Sequence, residues 1–97
     1  MHVALICRDK PGHLEVRLNA RPDHLAYLSS LGSKLAFAGP TLDANAQPDG
    51  SIIMLEVADM AEAERIAAAD PYAAVGLFQS VDLHPWVWAL NAPSTAE

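Results

Sequence analysis

Cysteine is almost missing from this chain. Cys7 stands alone, so no internal disulfide can form, which fits a reducing compartment. Basic residues are scarce too: six Lys and Arg face twelve Asp and Glu, for a net charge of −6. A chain of that sign with dispersed cations repels phosphate backbones, and nucleic-acid binding is not expected. No apolar run approaches the length of a membrane span, and no basic amphipathic segment offers itself to a lipid surface. Met1–Cys7 lacks the basic start and small-residue cleavage site of a signal peptide, so a cytoplasmic location is expected. There is no Cys-x-x-Cys, no Gly-rich phosphate loop and no nucleophile elbow. No two of the four histidines, at 2, 13, 24 and 84, have the spacing of a helical metal site. Neither a metal nor another cofactor is expected.

What the chain does have is apolar surface. Of its 97 residues 52% are hydrophobic and only 19% charged. One small domain buries a modest share of its surface, so this composition already asks for a partner. A single domain over residues 1–90 is expected, with Asn91–Glu97, small and polar, as a flexible tail.

Residues 2–8 read as a strand, ended by the turn cluster Arg8-Asp9-Lys10-Pro11-Gly12. His13–Ala20 alternates weakly and reads as irregular or as a short helical turn. Pro22 suits a first helical turn, and Leu25, Leu28 and Leu31 keep helical spacing up to Gly32, which predicts a helix over 21–32. A second strand, Lys34–Gly39, ends at Gly39-Pro40. A polar loop, Thr41–Gly50, closes on the hairpin signal Asp49-Gly50. Ser51–Val57 is the clearest strand. Asp59 and Glu62 then form an Asp-x-x-Glu capping box for a helix that runs to Asp70-Pro71. The last strand spans about 77–90, interrupted at Pro85.

The order strand, helix, strand, strand, helix, strand predicts an α+β, ferredoxin-like βαββαβ fold with a four-stranded antiparallel sheet and both helices on one face. Val3–Cys7 and Ile52–Val57 are apolar on both faces. Helices cover only one, so a homodimer packed sheet on sheet is expected.

His24 lies one helical turn before Leu28, on or beside the apolar stripe. It reads either as a hydrogen-bonded histidine at the core edge or as a general acid or base beside a carboxylate. Asp70 is the natural neighbour. It is a turn-former in Asp-Pro, but as the end of a helix it would face the negative pole of the dipole, a place where an imidazolium would hold it. Phe37, Tyr72, Phe78 and Trp86, with Trp88, read as core and interface, or as the lining of a cleft for a flat substrate. Arg8 and Arg21 are solvated surface groups or anion clamps.

Arg21-Pro22-Asp23-His24-Leu25-Ala26-Tyr27-Leu28, Ala38-Gly39-Pro40, Asp70-Pro71-Tyr72 and Gly76-Leu77 together resemble the YciI-like family, with Asp9-Lys10-Pro11-Gly12 and Pro85-Trp86 fitting the same pattern. The likeness spans about residues 2–88. It implies the dimeric α/β-barrel superfamily and a His–Asp pair in a cleft, which falls on His24 and Asp70. A relative is described as a dehydrochlorinase of a chlorinated hydroxyquinol, and muconolactone isomerases share the wider fold. The expectation is thus a cofactor-free lyase or isomerase using His24 and Asp70 on a small cyclic or aromatic substrate, with Arg8, Phe37, Tyr72, Phe78 and Trp86 as the binding set. Two alternatives stay open: a non-catalytic small-molecule-binding or interaction module, and a cofactor-independent monooxygenase.

Overall fold

The structure is a computed structural model and describes residues 1–93. β1 (His2–Asp9) leads to α1 (Leu14–Ser30). A single 3-10 turn (Gly32–Lys34) then enters β2 (Leu35–Leu42), followed by β3 (Pro48–Glu56), α2 (Met60–Ala68), α3 (Pro71–Ala74) and β4 (Phe78–Trp86). The sheet order is β2-β3-β1-β4, antiparallel throughout. This is the expected ferredoxin-like arrangement. Of the expected tail, residues 94–97 lie outside the described residues. No helix among the described residues is long and apolar enough to cross a membrane.

The core lies between the sheet and the helices. Val3, Leu5 and Cys7 of β1 meet Ile53 and Leu55 of β3, and Leu28 and Ala63 close over them from α1 and α2. Alternation puts every second residue of a strand on this face. A smaller cluster of Ala20, Tyr72 and Leu77 continues it under α3. The Tyr27 hydroxyl donates to the Ile66 carbonyl at 2.8 Å and ties α1 to α2.

Helix α1 begins seven residues before the expected start at Arg21, so Pro22 lies inside it. The missing N–H leaves the Leu18 carbonyl without its helical donor. Both residues are exposed, so water can take that donor's place. The early turns escape a hydrophobic reading because the buried positions are Arg17, Ala20, His24 and Leu28. Two of those four are polar. Of the expected stripe, Leu28 is buried, whereas Leu25 is half-exposed on the neighbouring face, as is Leu18.

Gly39-Pro40 does not end β2 as expected, since the strand continues through Pro40 to Leu42. β4 runs through Pro85 without interruption but stops at Trp86, short of the expected end near residue 90. Both are edge strands, where an absent N–H is tolerated. Asp49-Gly50 is not the hairpin turn either. The turn is at Asp43–Gln47, where the Asp43 carboxylate accepts from the N–H groups of Asn45 and Gln47, and Gly50 sits within β3. A Cβ there would lie 2.4 Å from the Cys7 carbonyl oxygen and 2.7 Å from Thr41 Oγ1, so glycine allows β1, β2 and β3 to close up.

A bulge at Ala36 shifts the β2–β3 register, so that Leu35 pairs with Leu55 but Phe37 with Met54. Phe37 is thereby turned to the face without helices, and Ala38 and Pro40 to the helical one. On the open face Phe37, Trp86 and Trp88 form an aromatic cluster with His2, ring centroids 5.3–6.5 Å apart. No element of this chain's own helical layer covers that face.

Candidate active site

Asp70 does not end α2. That helix stops at Ala68, and Asp70 is the N-cap of α3, its Oδ1 accepting from the Tyr72 N–H at 2.9 Å with Pro71 in the first turn. The carboxylate therefore stands at the favourable, positive pole of a short helix, which reverses the dipole argument made from the sequence. From there it reaches His24. Nδ1–H donates to Oδ1 at 2.8 Å and to Oδ2 at 3.0 Å, with both side chains buried.

This contact fixes the tautomer: a proton on Nδ1 leaves Nε2 as the lone-pair nitrogen. Nε2 makes no hydrogen bond to a described residue. No buried side-chain nitrogen or oxygen among them lacks a partner, so Nε2 is accessible, and His24 lines a pocket. The plane of the ring is also held. Tyr72 stacks on it with centroids 3.8 Å apart and planes 13° from parallel.

A second polar group lies two helical turns before His24. The Arg17 side chain is buried against Asp9, donating from Nε to Oδ2 at 2.6 Å and from Nη2 to Oδ1 at 3.0 Å. Nη2 also donates to Ser51 Oγ at 2.9 Å. Burial pulls the guanidinium pKa down, but Asp9 and, less strongly, Tyr72 together hold it above its usual value. The Arg17 guanidinium carbon lies 4.6 Å from the Tyr72 ring centre. Burial raises the Tyr72 phenol, with Arg17 and Arg21 pulling the other way.

The pocket is the gap between α1 and the β2–β3 edge, a cavity of about 250 Å³. α1 supplies Arg17, Leu18, Arg21, His24, Leu25 and Leu28. The sheet supplies Ala38, Gly39 and Pro40 from β2 and Pro48, Ser51 and Ile53 from β3. Tyr72 completes the lining. A mostly apolar cleft with a few convergent polar groups is what a small-molecule site requires, and this one suits a single ring.

Of the residues expected from the sequence, His24, Asp70 and Tyr72 come together here. Phe78 lies behind Tyr72, edge to face at 5.9 Å. Arg8, Phe37 and Trp86 do not join them. Pairing places Phe37 opposite Met54, Arg8 opposite Gly50 and Ser80, and Trp86 opposite His2, all on the open face of the sheet. Arg21, weighed beside Arg8, is the arginine that reaches the pocket. Arg17, Asp9 and Ser51 escape a sequence reading because they meet only through the fold. The one sequence signal for Arg17 was its spacing of seven residues from His24, which puts both on one helical face. No group of three or more His, Cys, Asp or Glu among the described residues is placed to hold a metal ion.

Comparison with known proteins shows the family and the fold. The family profile described as the YCII-related domain matches residues 1–87. Protein YciI of Escherichia coli is 36% identical, the alignment covering 89% of this chain and 96% of that protein. Among solved structures, 5-chloro-2-hydroxyhydroquinone dehydrochlorinase (TftG) from Burkholderia phenoliruptrix, in complex with 2,5-dihydroxybenzoquinone, superposes with a TM-score of 0.85 at 32% identity, covering 90% of this chain and 94% of that one. A NIPSNAP domain protein from Burkholderia xenovorans shares the fold at a TM-score of 0.55 and 19% identity, covering 97% of this chain and 100% of that one.

Proposed function

We propose that this chain, which belongs to the YCII-related family, is a lyase- or isomerase-type enzyme acting on a small cyclic substrate, with His24 as the proton-transfer group and Asp70 as its positioning partner. The observation that carries the reading is that Asp70 holds His24 Nδ1 while Nε2 opens on the pocket. A structural histidine at a core edge would have both nitrogens satisfied within the protein.

The chemistry follows from that arrangement. Neutral His24 accepts a proton at Nε2 from a ring hydroxyl, and Asp70 stabilises the imidazolium without itself being protonated. The electron pair left on oxygen moves into the ring, and the imidazolium returns the proton to a ring carbon, giving the keto tautomer. That is an isomerisation. If this carbon carries a halide, loss of a second hydroxyl proton expels the halide with its bonding pair, and the sum is loss of hydrogen halide. Both outcomes balance without an external oxidant or reductant. Support for a hydroxylated, halogenated ring comes from TftG, which shares 32% identity. The apolar lining would hold such a ring face-on between Leu25 and Pro40.

The protein acts as a homodimer in this reading. Ile52, Phe37 and Trp86, each about 40% exposed, form an apolar face opposite the helices, and a second copy covers it. A cofactor-independent monooxygenase is supported by fold likeness alone. In a non-catalytic binding module the cap and the His24 contact of Asp70 would be structural only.

The test is turnover of hydroxylated and chlorinated quinols, followed by halide release and quinone absorbance. Wild type is expected to turn over at least one, and His24→Ala none. Equal rates in the two proteins would sink the proposal.

A further inference from the structure

Three nitrogen bases line the pocket from α1, at positions i, i+4 and i+7 of one helical face: Arg17, Arg21 and His24. Two are already partnered inside the protein. Asp9 meets the charge of Arg17, and Asp70 holds Nδ1 of His24. Arg21 makes no ion pair with a described residue and is exposed at the pocket. No acidic residue among the described residues lines this cavity. With a net charge of −6, the protein as a whole repels anions. Arg21 is thus a cation without an ion-pair partner among the described residues, between two satisfied groups, in a cleft whose described lining carries no carboxylate.

We infer that the pocket selects a single-ring ligand carrying a formal negative charge on oxygen, a carboxylate or an ionised hydroxyquinone, and that Arg21 reads that charge. This rests on the reading of the pocket as the substrate site. The guanidinium fork can pair with two oxygens at once, as an ammonium cannot. Leu25, Pro40 and Ile53 take the ring, and the charged edge turns toward Arg21. A neighbouring hydroxyl then lies toward His24 Nε2. The pair is exposed, so its contribution falls with added salt.

The experiment compares 2,5-dihydroxybenzoquinone with its dimethyl ether in calorimetric titrations of the full chain at pH 7. The hydroxyls of the first are vinylogous carboxylic acids and are ionised, whereas the second has the same ring and no charge. Wild type is expected to bind the ionised ring about tenfold more tightly, or better. Arg21→Gln is expected to lose that preference, the ionised ring then binding no more tightly than the ether. Three results overturn the inference: equal affinities in wild type, a preference retained in Arg21→Gln, or no binding of either ring at about millimolar concentration. Turnover separates it from the catalytic proposal. If His24→Ala abolishes turnover while charge preference is independent of Arg21, only the anion reading fails. If the preference follows Arg21 but no quinol is turned over, only the catalytic reading fails.

Discussion

The imidazole of His24 and the phenol ring of Tyr72 stack with centroids 3.8 Å apart and planes 13° from parallel. Tyr72 stands in α3, whose N-cap is Asp70, the same residue that holds His24 Nδ1. One four-residue helix therefore supplies both restraints on the histidine. The carboxylate sets its tautomer, and the ring sets its plane. Together they leave Nε2 as the nitrogen without a partner among the described residues, on a side chain that lines the pocket.

Asp70→Asn should separate the two roles of that aspartate. Asparagine caps a helix about as well as aspartate, so the loss of stability should stay below about 1 kcal/mol. The neutral amide lacks the charge that stabilises an imidazolium. On the proposed mechanism kcat should fall roughly 100-fold or more with a weak remnant left. Imidazole nitrogen NMR should show the Nδ1–H tautomer lost. An unchanged tautomer would mean that Asp70 does not orient the ring.

Arg17 and Asp9 form a buried ion pair, with side chains 4% and 6% exposed. Removing one partner leaves the other charge buried alone, at about 3–5 kcal/mol. Arg17→Met should therefore lower the urea midpoint sharply at constant slope. Adding Asp9→Leu should recover most of the loss, because both charges are then gone. A double variant as unstable as the single one would show that the pair is not what Arg17 contributes.

Cys7 lies in the core, and its thiol is pushed up from about 9 to about 12, first by burial and then by the field of Asp70. The folded protein thus keeps a proton that the unfolded chain gives up. This contribution to stability is complete below about pH 9 and is lost as pH rises toward 12. The loss runs at up to about 1.4 kcal/mol per pH unit. Denaturation midpoints should fall less steeply above pH 9 in Cys7→Ala than in wild type. At neutral pH, iodoacetamide should label Cys7 only in denaturant.

The proposed dimer is checked by light scattering, where twice the chain mass is expected. Phe37→Lys places a charge in the aromatic patch of the open face and should yield monomers, since an unpaired charge cannot be buried there cheaply. A wild-type chain that scatters as a monomer would remove the reason for the apolar face.

By itself the sequence determined the elements whose signals are local. Strand-length apolar runs gave β1 and β3, and the capping box gave the start of α2, with the Glu62 N–H donating to Asp59 and Glu62 itself accepting from Ala58. Their order was enough for the ferredoxin-like topology, because few chiralities and connections are open to that pattern. His24 and Asp70 were legible as a pair through the family resemblance. Only the tertiary structure decided what stands around them. Arg17 and His24 break the hydrophobic period of α1, so the buried face of that helix is invisible until Asp9, Ser51 and Asp70 arrive from elsewhere to satisfy it. The bulge at Ala36 sends Phe37 to the open face and Pro40 to the pocket, and no local signal records which way a strand will be turned. Burial of a polar side chain is permitted by its partners, and partners distant in sequence are chosen by the fold.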